Sequence, residues 1–349
     1  MNTFAIIFEV ISVALFGIVS FIGINANMVI LIAILGDRKM RNSRTNMLLL
    51  NLAVADVLYL IAISVWGMIS FYAARLNVNL CPYLSWIDSA LLLASIETYT
   101  AISLERYIAI IHPMKVKHLC SKRNIFLAMA LIWITALLLE SPAIFQYQYL
   151  PTNNFQYMQS FWHSLDGMQN QSYCGNIYYG TDTMMWHRIA EALFTYFIPI
   201  CISAVMYYKV FHVLWSVNPL FLRSRRAQPT SNSTSNATAE AMKAALNARR
   251  SVVKMLIICV IVFFVCYTPM LLLFVFVGIL DWPVLYVELG LTLQTLVIFV
   301  SAFNPFLYTI FSNSFRERVR EVVPRLFEWH ENLTSTSEVT RRDTETTSA

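Results

Sequence analysis

The residues that could do chemistry in this chain are few, and they stand where charge is costly. Glu105-Arg106-Tyr107 sets an acid against an arginine at the point where an apolar helix, running on from Leu91, meets a basic segment. An arginine at such an edge either snorkels its head group toward water or holds a dedicated partner. Asp56 ends the apolar run Leu52-Ala-Val-Ala-Asp56 with no cationic residue in its own stretch. It is either protonated or met by a cation from elsewhere, and a small ion would serve. Asp88 and Ser95 are seven positions apart and share one helical face, with Asp88 about two turns inside the helix end, a depth that suits a ligand site. Glu97 and Glu191 are also embedded in apolar sequence. Each reads as a protonated acid hydrogen-bonded between helices, or, for Glu191, as a contact for a cationic ligand.

None of this is catalytic equipment. His112, His118, His212 and His330 fall at one edge of the apolar stretches and His163 and His187 at the other, so no nucleophile–base pair or metal set is expected within them. The six cysteines have no metal-ligand spacing.

The elements that must position these groups are long and apolar. Of 349 residues 58% are hydrophobic and 13% charged, and the mean hydropathy is positive, which places the chain among membrane proteins. Seven stretches exceed the roughly 20 helical residues that span a bilayer core, centred on Met28, Val57, Leu93, Trp133, Ile200, Val262 and Ile298. The run from Phe4 to Leu35 is too long for a signal-peptide core and reads as the first span. Basic residues cluster after the first, third and fifth spans: Arg38, Lys39, Arg41 and Arg44; Lys115, Lys117, Lys122 and Arg123; Arg223, Arg225, Arg226, Lys243, Arg249 and Arg250. The positive-inside rule then predicts an outer N-terminus and a cytoplasmic C-terminus, the parity seven spans require. The net charge of +5 resides in these connections and is no nucleic-acid signal.

On that topology only Cys81 and Cys174 meet an oxidising compartment, which favours a disulfide between them, while Cys120, Cys201, Cys259 and Cys266 read as free buried thiols. Asn170-Gln-Ser is a glycosylation acceptor on the outer side, in a long tyrosine-rich loop. Asn27 reads as interhelical packing glue. Pro199, Pro269 and Pro305 sit inside spans, where neighbouring helices can satisfy the freed carbonyls. The Ala/Lys/Arg-rich sequence from Ala239 predicts a helix continuing span six beyond the bilayer. The expected organisation is an all-α seven-transmembrane helix bundle with a short amphipathic eighth helix. Residues 1–8 form a short outer N-terminus, 9–311 the receptor domain, 312–330 the amphipathic helix and juxtamembrane region. A disordered Ser/Thr-rich tail, 331–349, follows as a kinase substrate.

In their order, Asn27, Leu52-Ala-Val-Ala-Asp56, Cys81, Glu105-Arg106-Tyr107 with Pro113, Trp133, Pro199 with Tyr207, Phe263 with Cys266 and Pro269, and Asn304-Pro305-x-x-Tyr308 resemble the rhodopsin-like G-protein-coupled receptors over nearly the whole chain. The resemblance implies that Glu105 holds Arg106 at rest and that Tyr107, Tyr207, Asn304, Pro305 and Tyr308 complete the switch. On activation the inner end of span six moves out to admit a heterotrimeric G protein, with receptor kinases and arrestin acting through the tail. It also implies that Asp56, Ser95, Ser301 and Asn304 form a pocket for an allosteric sodium ion, with no other metal or cofactor. The chain departs from the family at Tyr267, where tryptophan is usual, at Val300, and in lacking a tryptophan in the first outer loop.

Asp88 occupies the position where amine receptors carry an aspartate. Glu191, Thr195, Met270-Leu271 and Ile298 stand where those receptors carry other residues, which disfavours a catecholamine. No lysine follows Lys254, so an opsin Schiff base is excluded. The third-span run and His112-Pro-Met-Lys-Val-Lys are similar to neuropeptide receptors, nearest to the thyrotropin-releasing-hormone, neuromedin U and ghrelin group. The expected ligand is a peptide with a basic group at Asp88, in a site including Glu191, Tyr267, Phe274 and Gln294. The alternatives are an amine receptor using Asp88 and a non-signalling peptide scavenger of the same fold. A transporter would show internal repeats, and none is visible.

Overall fold

The computed structural model describes residues 3–72, 80–151, 172–178, 181–216, 234–280 and 283–324. Seven long helices carry the seven apolar stretches. They are α1 (Thr3–Gly36), α2 (Arg44–Tyr72), α3 (Cys81–Ile111), α4 (Lys122–Leu139), a composite α5, α6 (Thr234–Leu280) and α7 (Pro283–Phe311). α1 begins at Thr3, so the sequence before residue 9 is mostly helical. At 47 residues, α6 is about 70 Å long and projects well beyond a bilayer core of about 30 Å. Residues 313–324 form a further helix, α8, whose Phe315 and Val322 are buried.

Short capped turns set the directions of the long helices. Between α1 and α2, the Asp37 carboxylate accepts from the backbone N–H of Lys39 (2.6 Å) and Met40 (3.1 Å), which holds that carboxyl below the usual carboxylate range. Ser121 caps α4 by accepting from the Asn124 N–H. The arm of Arg318 from α8 lies against Gly36, where a Cβ would come within 3.0 Å of its guanidinium.

α5 is assembled from Asp182–Glu191, a π-helical turn Ala192–Phe197, and Ile198–Ser216. Pro199 has no N–H to give, and the wider turn just before it accommodates the unpaired ladder. The turn leaves Tyr196 fully buried, with its hydroxyl against the Thr268 hydroxyl and the Phe264 carbonyl on α6.

The bundle is inverted relative to a water-soluble protein. Phe21, Phe126, Leu138, Phe194 and Val265 are exposed, while Asn27, Asp56, Ser95, Thr98, Ser103 and Asn304 are buried. Polar groups that cannot face hydrocarbon are gathered between helices, where they find partners. α3 is the central strut, packed on α2, α4 and α5, while α7 packs on α1 and α6. At Gly23 the backbone of α1 comes so close to α2 and α7 that a Cβ would lie 2.7 Å from Leu60 and 2.8 Å from Ala302. Asn27 next to it donates to the Ser301 carbonyl across to α7 at 2.8 Å.

The long loop after α4 is not wholly irregular. Tyr147–Pro151 (β1) pairs antiparallel with Ser172–Asn176 (β2), Tyr149 opposite Cys174. The expected disulfide joins Cys174 to Cys81 at the start of α3, with Cα atoms 5.5 Å apart. Alternation over so short a hairpin is too weak to read in sequence, and the disulfide holds it over one end of the bundle. Asn170 and the tail 331–349 lie outside the described residues. Cys201, expected to be buried, is exposed on the outward face of α5, whereas Cys120 and Cys259 are buried.

Candidate functional site

Three groups of polar residues lie along the axis of the bundle. At the end opposite the disulfide, Arg106 Nε donates to Glu105 Oε2 at 2.6 Å, and Thr45 of α2 donates to the same oxygen at 3.1 Å. Glu105 is 4% exposed and Arg106 21%, so the arginine is clamped rather than snorkelling. Charge-assisted bonds of this kind are roughly twice as strong as neutral ones. Tyr207 bonds to Ser103 and lies within electrostatic reach of Arg106 and Glu105, and Tyr308 in turn lies near Tyr207. The Tyr308 hydroxyl is buried with no hydrogen-bond partner among the described residues. A buried unmatched hydroxyl costs free energy, and another arrangement of the helices could satisfy it. Tyr107 turns its ring edge to His112, with the Lys209 ammonium 5.9 Å from the ring centre.

The inner part of α6 carries further ties that the motifs did not reveal. Arg250 donates twice to the Leu214 carbonyl of α5, at 3.1 and 2.7 Å, and its guanidinium stacks 5.5 Å from the Trp215 ring centre. Ser251 donates to the Phe311 carbonyl of α7. In the sequence Arg250 is one member of a basic cluster and reads only as a topology signal.

Midway along the bundle Asp56 is 1% exposed. Its Oδ1 accepts from Ser95 at 3.1 Å and its Oδ2 from Asn304 Nδ2 at 2.9 Å; Ser301 also bonds to it. The four residues expected to act together therefore converge from α2, α3 and α7. Tyr99 was not anticipated: its hydroxyl donates to Asn304 Oδ1 at 2.6 Å. A separate chain of bonds runs from Trp133 of α4 through Asn51 of α2 to Thr98 of α3, at 2.9 and 2.8 Å. The Asp56 carboxylate with the hydroxyl oxygens of Ser95 and Ser301 is a hard-oxygen donor set of the kind a small monovalent cation takes, while Asn304 faces Asp56 through its amide N–H, its oxygen being held by Tyr99. Glu97 stands apart, accepting from Thr135 of α4 at 2.6 Å, which matches an acid hydrogen-bonded between helices.

Toward the disulfide end, Asp88 Oδ1 is buried without a hydrogen-bond partner among the described residues. Tyr59 lies within its electrostatic reach and accepts from Gln294 Nε2 at 2.8 Å, so Asp88, Tyr59 and Gln294 gather in one region between α2, α3 and α7. Tyr267 forms part of the floor, stacked on Phe263 with ring centres 5.4 Å apart and set 4.8 Å from Tyr196. Glu191, 21% exposed, pairs with Arg188 at 2.7 Å, and Arg188 also donates to the Tyr147 hydroxyl of β1. The side chain of Phe274 lies outside the described residues. Tyr59 joins Asp88 and Gln294 only in the folded chain.

A family model described as 7 transmembrane receptor (rhodopsin family) matches residues 26–308. Neuropeptide receptor 15 of Caenorhabditis elegans is 35% identical, covering 89% of this chain and 89% of its own length. A QRFP-like peptide receptor of Branchiostoma floridae is 25% identical over 82% of this chain and 71% of its own. Galanin receptor 2a of Danio rerio is 25% identical over 90% of this chain and 78% of its own.

Proposed function

Because the chain belongs to the rhodopsin family of seven-transmembrane receptors, we propose that it binds an extracellular neuropeptide through a basic group seated at Asp88 and activates a heterotrimeric G protein at the opposite face. It is a multi-pass protein of the plasma membrane and a signalling receptor, not an enzyme. The observation that carries the ligand reading is the buried Asp88 Oδ1, without a hydrogen-bond partner among the described residues and close to Tyr59, which Gln294 bonds. A carboxylate taken from water needs a cation or a set of donors, and a peptide ammonium or guanidinium supplies both. The names of the similar receptors support a peptide over an amine. The narrower likeness to the thyrotropin-releasing-hormone, neuromedin U and ghrelin receptors rests on Glu105-Arg106-Tyr107 and the Pro113-Met-Lys-Val-Lys117 continuation.

The disulfide end is outside and the basic end cytoplasmic, a reading supported by the clusters of Lys and Arg after α1, α3 and α5. A peptide that prefers one arrangement of the helices shifts the population of Arg106, Tyr207 and Tyr308. A sodium ion at Asp56, Ser95, Ser301 and Asn304 stabilises the resting arrangement. The tail from 331 takes phosphate from receptor kinases and docks arrestin.

The deciding experiment is guanine-nucleotide exchange on purified receptor and G protein, with galanin, allatostatin-A and QRFP-like peptides and a wider neuropeptide library as probes. Exchange driven by a peptide, and weakened at least about tenfold (1.4 kcal/mol) by Asp88→Asn, supports the reading. Peptide binding without exchange on any G protein would replace it with a scavenger, and unchanged potency in Asp88→Asn would remove the cation contact.

A further inference from the structure

Two cations of α6 meet on one indole of α5. The Arg250 guanidinium lies 5.5 Å and the Lys254 ammonium 5.8 Å from the ring centre of Trp215. They have different duties. Arg250 gives Nε and Nη2 to the Leu214 carbonyl, so it pins α6 to α5 and fixes the indole. Lys254 is exposed and makes no hydrogen bond or ion pair with a described residue. Like charges four positions apart on a helix repel, and at an exposed site a ring face attracts each of them only weakly.

The sequence around this seam supplies no acid to balance them. α5 from Ala192 to Ser216, the connection 112–121 and α6 from Lys243 to Leu280 contain no Asp or Glu. Glu240 stands ten positions before Arg250, about 15 Å along the helix, and Glu105 of α3 is already bonded to Arg106 and Thr45.

The surface beside the cations is aromatic and faces outward. Trp215 is the last residue of the fifth apolar span, the level at which tryptophan gathers at a bilayer boundary. Its ring stacks on Phe211 with centres 4.4 Å apart. Tyr208, Phe211, His212 and Trp215 follow helical spacing and form one ridge along α5, with Tyr208 70% and Phe211 46% exposed. A cation at the end of an apolar ridge matches an amphiphile with an anionic head. A soluble acidic peptide would use the charge and leave the ridge bare.

We propose that the seam between α5 and α6 binds an anionic phospholipid of the cytoplasmic leaflet, its phosphate on Lys254 over Trp215 and an acyl chain along Phe211 and Tyr208. The ammonium is a compact charge with three donors for phosphate oxygens, and Arg250 positions the indole beneath it. The site does not depend on which peptide or G protein the receptor uses.

The test places full-length receptor in phosphatidylcholine nanodiscs containing increasing fractions of phosphatidylserine or phosphatidylcholine brominated near the glycerol end of the chain. Quenching of Trp215 is read as the difference between wild type and Trp215→Phe. Brominated phosphatidylserine is expected to reach half-quenching at a fraction about fivefold lower than brominated phosphatidylcholine, the factor one lysine contributes near an anionic surface. Lys254→Gln should abolish that preference and Lys254→Arg keep it. Lys117→Gln, which removes an exposed lysine from the connection between α3 and α4, should leave it unchanged. Equal quenching by the two lipids in wild type overturns the site, and so does an equal loss in Lys254→Gln and Lys117→Gln, which would mean diffuse surface charge. If tetraglutamate or inorganic phosphate at matched ionic strength erases the preference, the seam takes a soluble anion and the lipid assignment falls. A second measurement needs no variant: phosphatidylserine should raise the melting temperature of the wild-type receptor above its value in phosphatidylcholine alone, and no rise overturns the site.

Discussion

Tyr99 and Asn304 are joined by a 2.6 Å hydrogen bond from the Tyr99 hydroxyl to Asn304 Oδ1, while Asn304 Nδ2 donates to Asp56 at 2.9 Å. Both ends of one amide are therefore used to tie α3 and α2 to α7. Tyr99→Phe leaves Asn304 Oδ1 buried and unmatched, a loss of about 1–3 kcal/mol. The expected outcome is a lower melting temperature of the purified receptor together with raised basal nucleotide exchange, since the resting network is what is weakened. Unchanged melting and exchange would show that the bond contributes nothing.

The same network should respond to sodium. Replacing sodium with choline in the buffer is expected to lower the melting temperature of the wild-type receptor and tighten agonist binding. Asp56→Asn removes the one carboxylate of the donor set, so that variant should give identical curves in the two salts. A sodium effect retained in Asp56→Asn would place the ion elsewhere.

Glu105 accepts from both Arg106 and Thr45, which makes the two neighbours unequal. Glu105→Gln removes the charge that clamps the arginine and should raise basal exchange severalfold, because a bond to a charged group contributes about 1.5–3 kcal/mol. Thr45→Ala removes one neutral donor from the same oxygen and should raise it less. Basal exchange measured side by side ranks them, and a larger effect from Thr45→Ala would contradict the clamp.

On α6, Arg250 holds Leu214 and Trp215 of α5, while Arg249 beside it is exposed. Outward movement of α6 must either carry this contact along or break it. Arg250→Ala is expected to change agonist-stimulated exchange and Arg249→Ala to leave it near wild type, which stopped-flow measurement of exchange would resolve.

Gly23 and Gly17 lie on the same helix in different surroundings. A Cβ at Gly23 would meet Leu60 at 2.7 Å and Ala302 at 2.8 Å, whereas one at Gly17 meets nothing within 4 Å. Gly23→Ala should destabilise by about 1–3 kcal/mol through overpacking. Gly17→Ala should be neutral or slightly stabilising, as alanine is the better helix former. Thermal unfolding of the two variants gives the comparison directly.

Much of the architecture was legible because the bilayer enforces it. Backbone groups in hydrocarbon must bond within their own helix, so seven apolar runs of sufficient length read directly as α1 to α7. Charged residues inside those runs are costly enough that Asp56, Asp88, Glu105 and Arg106 announced themselves by type alone. The hairpin of β1 and β2 did not, because its strands are five residues each and the disulfide that ties β2 to α3 joins residues 93 positions apart. Cys201 was misplaced for a related reason: on an apolar helix the hydrophobic pattern hardly distinguishes the lipid face from the protein face.

By itself the sequence determined the span count, the acids and arginine that need partners, and the cysteines able to pair, since each follows from transfer cost or compartment chemistry. Which partners they take was decided only by tertiary structure. Tyr99 reads as one more aromatic in α3 until α7 brings Asn304 to it. Arg250 reads as a topology charge until α5 offers it the Leu214 carbonyl and Trp215. Arg188 and Tyr147, 41 positions apart in the chain, meet only because β1 lies against the first part of α5. Hydrogen bonds and ion pairs are short-ranged, so a sequence can say that a buried charge needs a partner, but only the packed helices bring that partner within 3 Å.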